Sequence, residues 1–180
     1  MSLPSSRNDA LARARQIRLL LLDVDGVLSD GRLIYGGEGL EFKTFHSQDG
    51  FGLRLLAENG IEVGIITARA SGAVRRRAEE LHLRHLVEQA QDKLSAFEEI
   101  LEKDKLSAPE CAYMGDDWLD LPVLNRVGLA LAPANAVAEV RERAHFVTHR
   151  EGGRGAVREV CDLILEAQGL LSSCLTQYDR

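Results

Sequence analysis

Residues 19–31 read LLLLDVDGVLSDG, four leucines running straight into two aspartates and a glycine. A strand with one wet face alternates apolar and polar residues, so an unbroken leucine run predicts a strand covered on both faces, as in a parallel sheet. Asp23 and Asp25 then stand at its carboxyl end, where a turn is required. Loop capping accounts for such aspartates in isolation; what else they do depends on the other strand ends.

Working outward, IEVGIIT (61–67), ECAYMGD (110–116), GLALA (128–132) and HFVT (145–148) read as further short strands. Helical stretches separate them: GLRLLAENG closes on Asn59-Gly60, Ser71 precedes GAVRRRAEEL, Asp92 precedes KLSAFEEILEK, and Asp120-Leu121-Pro122 reads as another helix start. This alternation predicts an α/β fold, a doubly wound Rossmann-like parallel sheet. One interval breaks the rhythm. Between the first strand and the first full helix, residues 31–45 carry two β-like runs around Gly36-Gly37-Glu38-Gly39, predicting a small β-hairpin insertion in place of a cap domain. The expected organisation is an N-terminal arm or short helix over 1–16, one domain over 17–169, and a tail over 170–180.

Composition excludes several classes of function. Lys and Arg number 22 against 28 Asp and Glu, a formal charge of −6, which argues against nucleic-acid binding through bulk charge. No window is apolar for long enough to cross a membrane, and the N-terminus lacks the apolar core of a secretory signal, so a cytoplasmic protein is expected. Cys111, Cys161 and Cys174 are odd in number and lack CxxC spacing, pointing to neither disulfides nor zinc. His82, His85, His145 and His149 have no metal-ligand spacing either.

The strand ends carry the chemistry. In open α/β sheets ligands bind beyond the carboxyl edge, and there the sequence delivers Asp23 and Asp25, Thr67, and Gly115-Asp116-Asp117. Carboxylates converging on one edge repel unless a cation joins them, and hard oxygen donors favour Mg²⁺.

Asp23-Val24-Asp25-Gly26-Val27, Thr67 after an apolar strand, Lys93 opening a helix, and Gly115-Asp116-Asp117-x-x-Asp120 resemble, in that order, the four motifs of the haloacid dehalogenase superfamily. The resemblance implies phosphoryl transfer through an aspartyl-phosphate. Asp23 is the implied nucleophile and Asp25 the acid and base. Mg²⁺ is implied on Asp23, the Asp25 backbone carbonyl and Asp116, with Thr67 and Lys93 gripping the phosphoryl oxygens and Asp117 and Asp120 in support.

Within the superfamily, the segments DVDGVLSDGRLIYGGEGLEFKTFHSQDGFGLRLL, IITARAS, YMGDDWLDLPVL and GGRGAVREVCDLILEAQG are similar to the 3-deoxy-D-manno-octulosonate 8-phosphate phosphatases of lipopolysaccharide precursor synthesis, over roughly 17–169. The resemblance implies a homotetramer whose hairpins let each site be capped by a neighbouring subunit. It nominates Arg54, Arg69 and Arg77, together with Lys93, for an anionic sugar-acid substrate, and His46, Ser47, Gln48, Asp49 and Gly50 for the sugar pocket. Lys43 is expected to face a neighbour's site. Gln48 and Ala68 stand where many members have Arg and Gly, and the tail departs from the usual lysine-containing ending. Two alternatives remain: a phosphatase for a nine-carbon sialic-acid-type 9-phosphate, and a non-catalytic oligomerising or regulatory module.

Overall fold

The structure is a computed structural model that describes residues 7–179. The chain opens with helix α1 (Arg7–Ala14) and strand β1 (Leu19–Leu22). A tight turn over Val24–Leu28 leads to the hairpin strands β2 (Ile34–Tyr35) and β3 (Glu41–Phe42). There follow α2 (Ser47–Glu58), β4 (Glu62–Ile66), α3 (Gly72–Glu80), β5 (His85–Val87), α4 (Lys93–Asp104) and β6 (Cys111–Met114). The chain continues through α5 (Leu121–Leu124), β7 (Leu129–Ala132), α6 (Ala138–Arg141), β8 (Phe146–Val147), α7 (Ala156–Ala167) and α8 (Leu171–Tyr178).

Six strands pair in parallel in the order β5-β4-β1-β6-β7-β8, with helices on both faces. The doubly wound α/β expectation therefore holds. The four leucines of β1 are fully buried because they alternate between two cores: Leu20 and Leu22 join α1, α2 and α7, while Leu19 and Leu21 join α4, α5 and α6. Each such leucine contributes roughly 1.5–3 kcal/mol relative to an exposed one. From β1 the chain first builds outward through β4 and β5, then crosses to β6 on the other side. The order reverses at β1, and the crevice beyond its carboxyl end is the favoured ligand site of such a sheet.

The hairpin forms as expected, antiparallel, with Ile34 opposite Phe42 and Tyr35 opposite Glu41. Strand β5 was not expected. Its three residues, at the sheet's edge, pair through Gly64–His85 and the next two positions, and flanking charge hides so short a run from pattern reading. The core also reaches past the expected limits of 17–169: Ala10 and Ala14 of α1 and Cys174 of α8 are buried in it. Cys111, Cys161 and Cys174 are free thiols. Among the described residues no helix is long and apolar enough to cross a membrane.

Candidate active site

Beyond the ends of β1, β4 and β6 lies a cleft of about 270 Å³ lined by Asp23, Asp25, Thr67, Arg69, Lys93, Asp116, Asp117 and Asp120, among others. Asp23, Asp25, Thr67, Asp116 and Asp117 were expected here from the strand ends, and Lys93, Asp120 and Arg69 from the family resemblance.

Local sequence explains the convergence. After Asp25 the backbone turns through Gly26 at φ +86°, and a β-carbon there would lie 2.0 Å from Asp116 Oδ2, so glycine supplies both the turn and the space for a facing carboxylate. Gly115 leaves room for Asp120, whose Cγ would lie 2.4 Å from an added β-carbon. Behind the first turn, Asn135 Nδ2 donates to Gly26 O (3.1 Å) and Asn135 Oδ1 accepts from Gly152 N (2.7 Å). Gly153 N donates to Val27 O at 2.9 Å, tying the glycine-rich 152–155 segment to the loop that carries Asp25.

Asp120 stands at the N-cap position of α5, as expected, and its side chain organises the floor of the cleft. Fully buried, it accepts from Lys93 Nζ (2.6 Å) and Tyr113 OH (2.7 Å) on Oδ1, and from the amides of Asp116 (2.9 Å) and Asp117 (3.2 Å) on Oδ2. A buried carboxylate with four donors is satisfied. Lys93 Nζ also stands 3.0 Å from Asp23 Oδ1. Tyr113 was missed by sequence reasoning, since a tyrosine within an apolar strand reads as core; burial, then the nearby Asp120 and Asp23 charges, holds its phenol well above the usual range.

Burial first, then the Asp120 charge, pushes Asp23 up to about 6 despite the Lys93 ammonium. Burial, followed by the charges of Asp23, Asp120 and Asp117, pushes Asp116 up to about 7. For Lys93, burial disfavours the charge but Asp23 and Asp120 outweigh it, and the ammonium is held above the ordinary lysine range. Carboxyl oxygens of Asp23, Asp116 and Asp120 all lie within 4.8 Å of one another. Such crowding of partly desolvated hard oxygens fits a divalent cation, which would relieve the repulsion that raises Asp23 and Asp116. Asp25 is not part of that carboxylate group. Its side chain meets Lys43 Nζ on Oδ1 and stands 3.7 Å from Arg69 Nε on Oδ2.

Thr67 is buried at the end of β4, and its Oγ1 accepts from Arg69 N at 3.4 Å. Asp117 turns outward and caps a short turn through Trp118 N (2.7 Å). The remaining nominated residues stand outside the cleft lining. Arg54 pairs with Glu58 at 3.4 Å and lies over the Phe51 ring; Arg77 reaches Glu80 at 3.4 Å and lies over Phe45. Ser47 and Gln48 open α2, and Gln48 accepts from Arg150 at 3.0 Å. Asp49 is buried and accepts from the amides of Gly155 (3.3 Å) and Arg158 (2.8 Å), clamping α2 to α7. Gly50 leaves room for Arg77, whose Nη2 would lie 2.1 Å from an added β-carbon. His46 precedes α2 with Nδ1 buried and without a hydrogen-bond partner among the described residues. Lys43, expected to face a neighbour, pairs with Asp25 of its own chain, because β3 folds back over the cleft.

Residues 85–159 match the model of the haloacid dehalogenase-like hydrolase family. The 3-deoxy-D-manno-octulosonate 8-phosphate phosphatase of Escherichia coli K12 is 48% identical over 169 residues, covering 94% of this chain and 90% of that one. The chain belongs to the 3-deoxy-D-manno-octulosonate 8-phosphate phosphatase family. Solved members share its fold. The Yersinia pestis phosphatase superposes with a TM-score of 0.90 at 47% identity, covering 92% of this chain and 89% of that one. The Moraxella catarrhalis phosphatase, in complex with a magnesium ion, a phosphate ion and a KDO molecule, gives 0.93 at 41% identity, covering 95% and 98%. Membership in this phosphatase family makes the protein an enzyme, a phosphatase of the haloacid dehalogenase type, and removes the non-catalytic module from consideration.

Proposed function

We propose that the protein hydrolyses 3-deoxy-D-manno-octulosonate 8-phosphate to the sugar acid and inorganic phosphate, with Mg²⁺ and through an aspartyl-phosphate on Asp23. The observation that carries this reading is the Lys93 ammonium held between Asp23 and Asp120 at the cleft floor, in a chain 48% identical to a phosphatase of that substrate.

Asp23 attacks phosphorus while the phosphorus–oxygen bond to the sugar breaks, and Asp25 as the carboxylic acid gives its proton to the departing alkoxide. The Asp25 carboxylate then takes a proton from water as that water attacks phosphorus, releasing phosphate and restoring Asp23. Lys93 and Thr67 hold the phosphoryl oxygens, and Asp120 fixes Lys93 in place. Asp23, Asp116 and the Asp25 backbone carbonyl hold Mg²⁺, which supplies charge neutralisation between an anionic nucleophile and an anionic phosphate. Arg69 is the substrate-facing cation of the cleft, half-exposed where Lys93 is buried.

Assembly completes the site in this reading. Leu33, Ile34, Tyr35, Leu40 and Phe42 are all exposed on the hairpin, and Trp118 and Leu119 are exposed beside the cleft. Such a concentration of apolar side chains marks an interaction surface, and a homotetramer in which neighbours cover one another's clefts buries it. The test of the catalytic reading is phosphate release from a panel of sugar phosphates, with Mg²⁺ and with chelator. Hydrolysis confined to the metal-loaded protein supports it; undiminished hydrolysis after exhaustive metal removal contradicts it.

A further inference from the structure

Four side chains at the cleft mouth form a closed ring of alternating charge. Arg69 Nη2 donates to Glu41 Oε2 at 2.7 Å, Glu41 Oε1 stands 3.3 Å from Lys43 Nζ, Lys43 Nζ pairs with Asp25 Oδ1, and Asp25 Oδ2 stands 3.7 Å from Arg69 Nε. The Tyr35 hydroxyl accepts a further bond from Arg69 Nη2 (3.3 Å), and Ser29 Oγ donates to Asp25 Oδ1 (3.3 Å). Glu41 lies in β3 and Lys43 directly after it, while Asp25 comes from the loop after β1 and Arg69 from the loop after β4. The ring thus joins the hairpin to the residues that do chemistry.

Geometry gives the two oxygens of Asp25 different fates. Oδ1 is engaged by Lys43, whose side chain is 1% exposed, and by Ser29. Oδ2 faces Arg69 Nε at 3.7 Å, beyond hydrogen-bond length, and is the oxygen left for proton transfer. Glu41 is what keeps it so, because its 2.7 Å bond to Nη2 draws the guanidinium toward the hairpin. Without that carboxylate, Arg69 is free to close on Asp25 as a bidentate partner, engaging the oxygen the reaction needs.

We propose that Glu41 and Lys43 are positioning residues for proton transfer at Asp25: Lys43 fixes one carboxyl oxygen and Glu41 holds Arg69 off the other. The inference rests on the acid role assigned to Asp25. Proton donation matters most for poor leaving groups, whose alkoxides need the proton as the ester bond breaks, and least for an acidic phenol. A loss confined to positioning therefore appears as a steeper dependence of rate on leaving group, whereas general damage slows every ester alike.

The experiment is single-turnover release of the leaving group, with Mg²⁺ and excess enzyme, from small phosphate monoesters running from p-nitrophenyl phosphate to propyl phosphate. None is large enough to need a lid. Glu41→Gln and Lys43→Gln, each checked for native near-UV circular dichroism, should slow the propyl ester on the order of 10- to 100-fold while p-nitrophenyl phosphate changes little. Asp25→Asn should show the same pattern more strongly. Equal slowing of all esters by both variants, or no slowing by either, while Asp25→Asn remains leaving-group dependent, overturns the positioning role and spares the acid. A flat Asp25→Asn profile overturns the acid assignment and this inference with it.

Discussion

Lys93 donates to Asp120 across 2.6 Å with both side chains buried. A lysine at the first turn of a helix is ordinarily solvated; here Asp120 draws it under the sheet edge and sets its distance to Asp23. Removing one partner of a buried ion pair leaves the other uncompensated, so Asp120→Ala should destabilise the fold by about 3–5 kcal/mol, read from urea unfolding. Lys93 retains Asp23 as a second partner, which places the loss toward the low end. A change within experimental error would show that the pair does not anchor the cleft.

Asp23→Asn should fold and lose turnover, because an amide is a poor nucleophile, and it should bind divalent ions more weakly. Asp25→Asn should retain metal binding yet slow turnover by roughly 10²–10⁴-fold. Activity assays beside metal titrations by calorimetry separate the two roles. Wild-type turnover in Asp23→Asn, verified free of deamidation by mass spectrometry, would remove the covalent mechanism.

Stability should depend on pH in a direction set by the raised carboxyls. Asp23 at about 6 and Asp116 at about 7 both lie above the unfolded value of about 4. Between these limits the native state keeps protons that the unfolded chain has released, so this contribution is fully present below about pH 4 and is lost as pH rises through about 7. Mg²⁺ takes the deprotonated carboxylates and should raise Tm more at about pH 8 than at about pH 5. At a hundredfold excess over its Kd the expected gain is about 2.7 kcal/mol. Differential scanning calorimetry with Mg²⁺ or EDTA reads both effects; a larger metal effect at the acid end would contradict the assignment. Ca²⁺, which favours more ligands and looser geometry, should bind and inhibit.

Charge placed on the hairpin should dissociate the proposed tetramer. Ile34→Asp and Phe42→Glu both alter side chains about half exposed in the single chain, so neither disturbs the fold core. Light scattering should report smaller species, and kcat/KM should fall more for the sugar-acid phosphate than for p-nitrophenyl phosphate, since in the proposed assembly the carboxylates belong to one chain and the cover to another. A wild-type monomer with full sugar-phosphate activity would mean that the hairpin does not serve as an intersubunit cover.

What was legible in the sequence follows from how local each signal is. The leucines of β1, the aspartates that follow them, Thr67 and Lys93 sit at element ends that periodicity and capping mark directly. Asp92, for example, caps α4 through Leu94 N and Ser95 N as its position suggests. Ser71 holds the N-cap position of α3, as expected, but its side chain makes no capping bond, and its amide donates to Glu88 Oε1 at 2.8 Å. The residues nominated for the sugar pocket fall outside the cleft lining, because the HSQDG segment begins α2 and Asp49 gives its carboxylate to the amides of Gly155 and Arg158, 106 and 109 residues away. Glu41 meets Arg69 28 residues away and Asn135 meets Gly26 109 residues away, and nothing in their immediate neighbours announces those partners.

The central claim is tested most directly by kcat/KM for 3-deoxy-D-manno-octulosonate 8-phosphate beside that for a nine-carbon sialic-acid-type 9-phosphate, on one preparation, with Mg²⁺ and after chelation. The expected result is a clear preference for the eight-carbon substrate that disappears when the metal is removed and returns when Mg²⁺ is restored. Preference for the nine-carbon ester, or hydrolysis of either that persists without metal, would contradict the account.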